Sequence, residues 1–141
     1  MLVKNLMKPF LKLNCRITIT KAAQAMEEAH TGSALVEKNG KLIGVVTERD
    51  FLRKVVANGH NPLIETIDAI MTAPIISISP NADVYEASEL MSSRNIRRLA
   101  VTNEKGEILG KITAHSISKN IKYITGKQML DARTREEHLF D

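Results

Sequence analysis

Residues 3–57 of this chain can be laid over residues 67–123, and matches then fall in the same order along both stretches. Val3-Lys4-Asn5-Leu6-Met7 meets Ile67-Asp68-Ala69-Ile70-Met71, Pro9 meets Pro74, and 22–26 (AAQAM) meets 87–91 (ASELM). Further on, Ala34-Leu35-Val36 meets Leu99-Ala100-Val101, and Gly44-Val45-Val46-Thr47 meets Gly110-Lys111-Ile112-Thr113. The offset drifts from 64 at Met7/Met71 to 66 at Thr47/Thr113, which two single-residue insertions explain. Self-similarity of this kind marks a structural unit used more than once. A copy of about 55 residues is too small to cover a three-stranded sheet by itself, so the two copies are expected to pack about a pseudo-two-fold axis, leaving a cleft between them.

Each copy reads as the same string of elements. A short strand comes first, at 10–13 and at 75–78. Apolar residues then recur at helical spacing: Ile19, Ala22, Ala23 and Met26 in one copy, Val84, Ala87, Leu90 and Met91 in the other. Before the second of these helices, Ser79-Pro80-Asn81-Ala82-Asp83 stops a strand and supplies capping oxygens. Two strands follow, 33–36 with 42–46 and 98–101 with 108–112. Asn39-Gly40 in the first connection is a hairpin signal, because both residues accept positive φ. A second helix closes each copy, at 48–58 and 115–123. The expected fold class is therefore α+β, with a β-α-β-β-α unit present twice. The polar run Asn58-Gly59-His60-Asn61-Pro62 reads as a linker. The domain reading is repeat 1 over 1–60, repeat 2 over 61–124 and a C-terminal tail over 125–141. That tail carries Met129, Leu130, Leu139 and Phe140 among charges, a pattern open between a short helix on a neighbouring surface and a frayed end.

Composition narrows the function. Of 141 residues, 43% are hydrophobic, enough for a packed core, but only 4% are aromatic and none is Trp. A stacking platform for single-stranded nucleic acid would need more rings. The net charge of +4 suits an anionic small molecule as well as nucleic acid. The single cysteine, Cys15, excludes an intrachain disulfide and reads as a small packed residue. The four histidines have no His or Cys partner at metal-ligand spacing. No apolar run reaches the roughly 18 residues of a membrane span, and the N-terminus lacks a signal-peptide pattern, so a cytoplasmic protein is expected. Neither a phosphate-binding Gly-x-x-x-x-Gly-Lys-Ser/Thr loop nor a Gly-x-Ser-x-Gly elbow occurs, and no catalytic residue is assigned.

The chemistry concentrates at Gly44-Val45-Val46-Thr47-Glu48-Arg49-Asp50, where a strand gives way to a helix. The Thr47 hydroxyl is placed to cap that helix. Asp50, three residues on, can accept two hydrogen bonds from a vicinal diol such as a ribose presents. Thr-x-x-Asp is also a close relative of a capping box, so the spacing fits a purely local role as well.

The chain resembles a tandem pair of cystathionine-β-synthase-type (CBS) domains, the Bateman module. The residues that carry the resemblance are Gly44, Val45, Val46, Thr47 and Asp50; Met71-Thr72 with Ile76 to Pro80; and Arg97-Arg98-Leu99-Ala100-Val101, where Ala100 replaces the family's Pro. The resemblance implies an adenosine-type ligand in the cleft (AMP, ADP, ATP or S-adenosylmethionine) and no other cofactor. It implies that Asp50 holds the ribose hydroxyls, that Thr47 contacts the ribose or phosphate side, and that Arg49 is a phosphate partner. From the opposite repeat it implies Ile76 and Ser77 against adenine and Arg97 or Arg98 toward phosphate. In the second copy Ser116 stands where Asp is expected, His115 aligns with Arg49, and Lys12 takes the place of Ser77. A second, weaker site is thus expected at Lys12, Thr113, His115 and Ser116. The implied function is regulatory: nucleotide sensing relayed to an effector protein, by a module that associates as a homodimer. A nucleic-acid-binding or transcription-linked protein, a ligand-free scaffold and a small nucleotide-processing enzyme are the alternatives.

Overall fold

The structure, a computed structural model, describes residues 1–125; the tail expected over 125–141 lies, beyond Thr125, outside the described residues. The elements are β1 (Lys12–Asn14), α1 (Ile19–Glu28), β2 (Ser33–Lys38), β3 (Lys41–Thr47), α2 (Glu48–Asp50), β4 (Ser77–Ile78), α3 (Val84–Arg94), β5 (Arg98–Thr102), β6 (Ile108–Thr113) and α4 (Ala114–Lys119). Each β-α-β-β-α set builds its own three-stranded sheet, β1-β2-β3 and β4-β5-β6, with a parallel first pair and an antiparallel second pair.

Local chemistry accounts for the elements. Thr18 caps α1 by accepting from Lys21 N, and Asp83 caps α3 by accepting from Tyr85 N. Their buried faces repeat the same spacing, Ile19, Ala22, Met26 and Val84, Ala87, Met91. Asn39 and Gly40 form the β2–β3 turn with φ of 51° and 77°, the pair of positive values that such a two-residue hairpin requires. The longer β5–β6 connection is organised by the Asn103 side chain, whose Oδ1 accepts from Lys105 N and Glu107 N.

Four elements differ from the expectation. The strands at 10–13 and 75–78 begin later, because only Lys12–Asn14 and Ser77–Ile78 find ladder partners on β2 and β5. The helix expected over 48–58 is a three-residue α-helix followed by a π-helix, Phe51–Val56, with a wide-turn bond from Ala57 N to Leu52 O. Apolar residues four apart, such as Phe51 and Val55, satisfy either winding. The helix expected over 115–123 is interrupted at Asn120: α4 ends at Lys119, Asn120 Nδ2 donates to Ser116 O at 2.8 Å, and helical backbone resumes over 121–125, with Ile124 N donating to Asn120 O at 3.1 Å.

Contacts divide the chain into two compact units. The first is Pro9–Ile76; the second combines Met1–Lys8 with the described residues from Ser77 onward. The division in space thus falls elsewhere than the division in sequence. Residues 67–76 open the second sequence repeat yet pack with the first, and Met1–Lys8 packs with the second. Within the first unit, Ile67 and Ile70 are fully buried in a core with Ile19, Met26, Val36 and Val46. Cys15 is buried there too, as expected of a packed thiol. A short 3-10 turn, Ile67–Ala69, leads to Thr72, whose N–H and C=O exchange bonds with Val45 at 2.8 and 3.0 Å. In the second unit the 3-10 turn Val3–Asn5 leads to Lys8, which exchanges bonds of 2.8 and 3.0 Å with Lys111.

These crossings explain the glycines of the repeat. A Cβ on Gly44 would lie 2.8 Å from Thr72 O and 2.9 Å from Met71 Sδ; one on Gly110 would lie 2.8 Å from Lys8 O. Backbone oxygens held in a bridge cannot step aside as a flexible side chain does. Gly44→Ala and Gly110→Ala are each expected to lower the unfolding free energy by about 1–3 kcal/mol, read from urea melts. An unchanged midpoint in both would show that the crossing segments yield freely.

Candidate ligand-binding site

In the first unit β3 ends at Thr47, whose backbone is extended, and the chain turns at once into α2. Thr47 and Asp50 form a reciprocal capping box: Asp50 N donates to Thr47 Oγ1, and Thr47 N donates to Asp50 Oδ2 at 2.9 Å. Thr47 Oγ1 also donates to Oδ2, at 3.2 Å. The local role that the spacing allowed is therefore real, and it occupies one carboxylate oxygen.

The other oxygen is held differently. Asp50 Oδ1 accepts from Thr72 Oγ1 at 3.3 Å and pairs with Lys54 Nζ at 3.1 Å. The same ammonium donates to Ile70 O at 2.9 Å and to Thr72 Oγ1 at 3.3 Å. Asp50 is only 7% exposed, whereas the Lys54 side chain is 36% exposed and Thr72 lies at the surface. A carboxylate has roughly four acceptor positions, and all are used here. The two on Oδ2 are tied to Thr47. The two on Oδ1 are filled by side chains that reach solvent, and a ligand hydroxyl can take those positions by exchange.

Lys54 and Thr72 are the participants that the sequence reading missed. Lys54 follows Asp50 by four residues, the spacing at which an acid and a base meet on a helix. Thr72 is brought over by the bridge to Val45, which no local pattern reveals.

The remaining candidates fall into two groups by unit. With Thr47 and Asp50 in the first unit are Arg49, exposed, Ile76, half-buried, and Lys12, which pairs with Glu37 at 3.4 Å. The second unit holds Ser77, exposed and opposite Ala100 in the ladder, together with Arg97, Arg98, Thr113, His115 and Ser116. Arg98 is the register partner of Thr113, and Arg97 O accepts from Ala114 N at 2.9 Å. Lys12 is therefore in a different unit from Thr113, His115 and Ser116, with which the sequence grouped it.

Thr113 and Ser116 form a capping box of their own. Ser116 Oγ accepts from Thr113 N and Thr113 Oγ1 and donates to Thr113 O at 2.9 Å. With one donor and two lone pairs the hydroxyl is fully used, and the residue is 1% exposed. Where the first unit has Asp50 and Lys54, the second has Ser116 and Asn120, a neutral pair. Cations gather nearby instead: burial holds the Lys111 ammonium below its ordinary pKa, and Arg98 and Lys8 press it further in the same direction.

A groove of about 620 Å³ also opens in the first unit between α1 and the π-helix, lined by Ile19, Ala23, Gln24, Phe51, Val55 and Pro62. None of the expected site residues lines it. Among the described residues no group of three or more His, Cys, Asp or Glu can hold a metal ion, and no helix is long and apolar enough to cross a membrane.

Each of the two repeated units thus has a Thr-capped strand-to-helix junction, with an acid at the third helical position in the first and a serine in the second. The CBS domain family matches residues 3–57 and 67–123, and the chain belongs to it as a tandem pair. It is 32% identical over 123 residues to the protein MK0525 of Methanopyrus kandleri, covering 86% of this chain and 63% of that one. Among solved structures it is similar to the CBS domain pair of MJ0100 in complex with 5'-methylthioadenosine and S-adenosyl-L-methionine, at 26% identity and a TM-score of 0.75, covering 90% of this chain and 98% of that one. It is also similar to the CBS domain protein PAE2072 of Pyrobaculum aerophilum complexed with AMP, at 26% identity and a TM-score of 0.73, covering 83% and 90% of the two chains.

Replacing either cap leaves N–H groups at the helix start unsatisfied. Thr47→Val and Thr113→Val are each expected to cost about 1 kcal/mol of stability, measured by chemical denaturation. No loss in either would mean that water caps these helices equally well.

Proposed function

We propose that this chain is a regulatory module that binds an adenine nucleotide or S-adenosylmethionine at the Thr47–Asp50 junction and relays the bound state to a partner protein. One observation carries the reading: Asp50 is a nearly buried carboxylate with one oxygen fixed by its own cap and the other held only by exchangeable side chains. That is the form a receptor for a ribose diol takes. Thr47 and Arg49 stand beside it. The adenosine-type ligands of MJ0100 and PAE2072 support the same class of ligand here. In this reading Ile76, Ser77, Arg97 and Arg98 contribute to adenine and phosphate recognition. The Thr113–Ser116 junction, sealed and without a carboxylate, is the weaker place. No residue is assigned a catalytic task.

A thermal-shift series with AMP, ADP, ATP and S-adenosylmethionine tests the reading. A ligand at 100 times its dissociation constant adds about 2.7 kcal/mol. Asp50→Asn is expected to abolish that shift and Ser116→Ala to leave it largely intact. Equal loss in both variants would place the ligand elsewhere.

The reading also includes self-association of two modules. It is supported by the apolar groove beside the π-helix, with Leu52 and Val56 exposed at 64% and 73% on that helix. Val56→Glu is expected to shift the mass measured by light scattering from two chains to one. A single-chain mass for the unaltered protein would overturn the dimer.

A further inference from the structure

The geometry points to Lys54 as the residue that makes the Asp50 site selective for anionic adenosine compounds over neutral or cationic ones. The inference rests on the function proposed above and extends it from adenosine recognition to the charge of the ligand.

The Lys54 ammonium spends its three donors on Asp50 Oδ1 (3.1 Å), Ile70 O (2.9 Å) and Thr72 Oγ1 (3.3 Å). It covers the exchangeable oxygen of a carboxylate whose own side chain is 9% exposed, while 36% of the lysine side chain remains open. Thr72 and Lys54 fill the two positions on Oδ1, so a vicinal diol that takes both displaces Lys54 as well as Thr72. Once displaced, the ammonium keeps its bond to Ile70 O but loses its carboxylate in a partly dehydrated place, and that loss is unfavourable. A ligand bearing a phosphate replaces the lost anion with a charge-assisted contact. A neutral nucleoside replaces nothing, and a sulfonium compound adds a second positive charge to the same place. The toll for reaching Asp50 is thus the same for all three, and only an anion returns it.

The internal repeat supplies a comparison within the chain. At the second junction both members of the ion pair are absent together: Ser116 stands for Asp50, and Asn120, which donates to Ser116 O, stands for Lys54. The acid and the base are present as a pair or missing as a pair.

Isothermal titration of the full chain with AMP, adenosine and S-adenosylmethionine tests this. The unaltered protein is expected to bind AMP at least about tenfold more tightly than adenosine. In Lys54→Met and Lys54→Gln that preference falls to threefold or less, while adenosine binds as well as before or more tightly. Lys54→Arg keeps it. Lys54→Gln retains a donor for Ile70 O and serves if Lys54→Met does not fold. Arg53→Gln removes an equal charge from the same helix without a bond to Asp50, and the preference should survive it within twofold. An AMP preference unchanged in both neutral variants, or lost equally in Arg53→Gln, overturns the role of Lys54 while leaving adenosine binding standing. Failure of all three compounds to bind the unaltered chain overturns the underlying function, and this inference with it.

Discussion

The carbonyl oxygen of Thr72 lies where only a residue without a side chain lets it lie, 2.8 Å from the position a Cβ would take on Gly44. The paired bonds between Thr72 and Val45 hold it there. Much of the site follows from that contact. Val45 is two residues before Thr47, so fixing its backbone fixes the end of β3 and the point at which the helix must start. The same bridge carries the Thr72 hydroxyl to Asp50 and the Ile70 carbonyl to Lys54. The glycine of the repeated pattern serves the Thr47–Asp50 junction from a distance. It admits the segment that completes the carboxylate's surroundings.

The second unit repeats the arrangement with Lys8 over Gly110 and Lys111. Here the crossing segment brings a lysine where the first brings a threonine, and the result is electrostatically different. Lys8, Arg98 and Lys111 lie close enough for the charges of the first two to lower the affinity of the third for its proton. One backbone design therefore carries two chemistries. The difference rests on a few side chains rather than on any change of path.

Much of this was legible in the amino-acid sequence, for identifiable reasons. Asn39-Gly40 needs positive φ at both positions and found it; Thr47 and Asp83 offered capping oxygens at the right distance ahead of apolar periodicity. These are local constraints, and local chemistry decides them. The strand starts were overrun because Ile75 and Ile76 are as apolar as a strand needs while lacking a ladder partner. The π-helix was hidden because positions 51 and 55 face inward under either winding. The exchange of opening segments was hidden more deeply. A repeat reveals which residues correspond, not which copy each will pack against, and Ile67 and Ile70 are apolar enough for either core. Lys54 stayed out of view for a related reason. Its neighbours Ile70 and Thr72 arrive from the far side of the linker.

The contrast between the two junctions is best understood as two ways of satisfying one turn. A capping box needs an acceptor three residues after the threonine, and serine meets that need as well as aspartate. Ser116 does so completely: every hydrogen-bonding position of its hydroxyl is spent within the turn, and the residue is closed to solvent. Aspartate brings a second oxygen that the cap cannot use. Buried without a partner, that oxygen would be a liability of several kcal/mol, and Lys54 and Thr72 are what make it tolerable in the free protein. An acceptor that exceeds the needs of the fold, compensated by donors that can leave, is open to exchange. An acceptor that matches the needs of the fold is only structure. The asymmetry of this module reduces to that surplus oxygen atom.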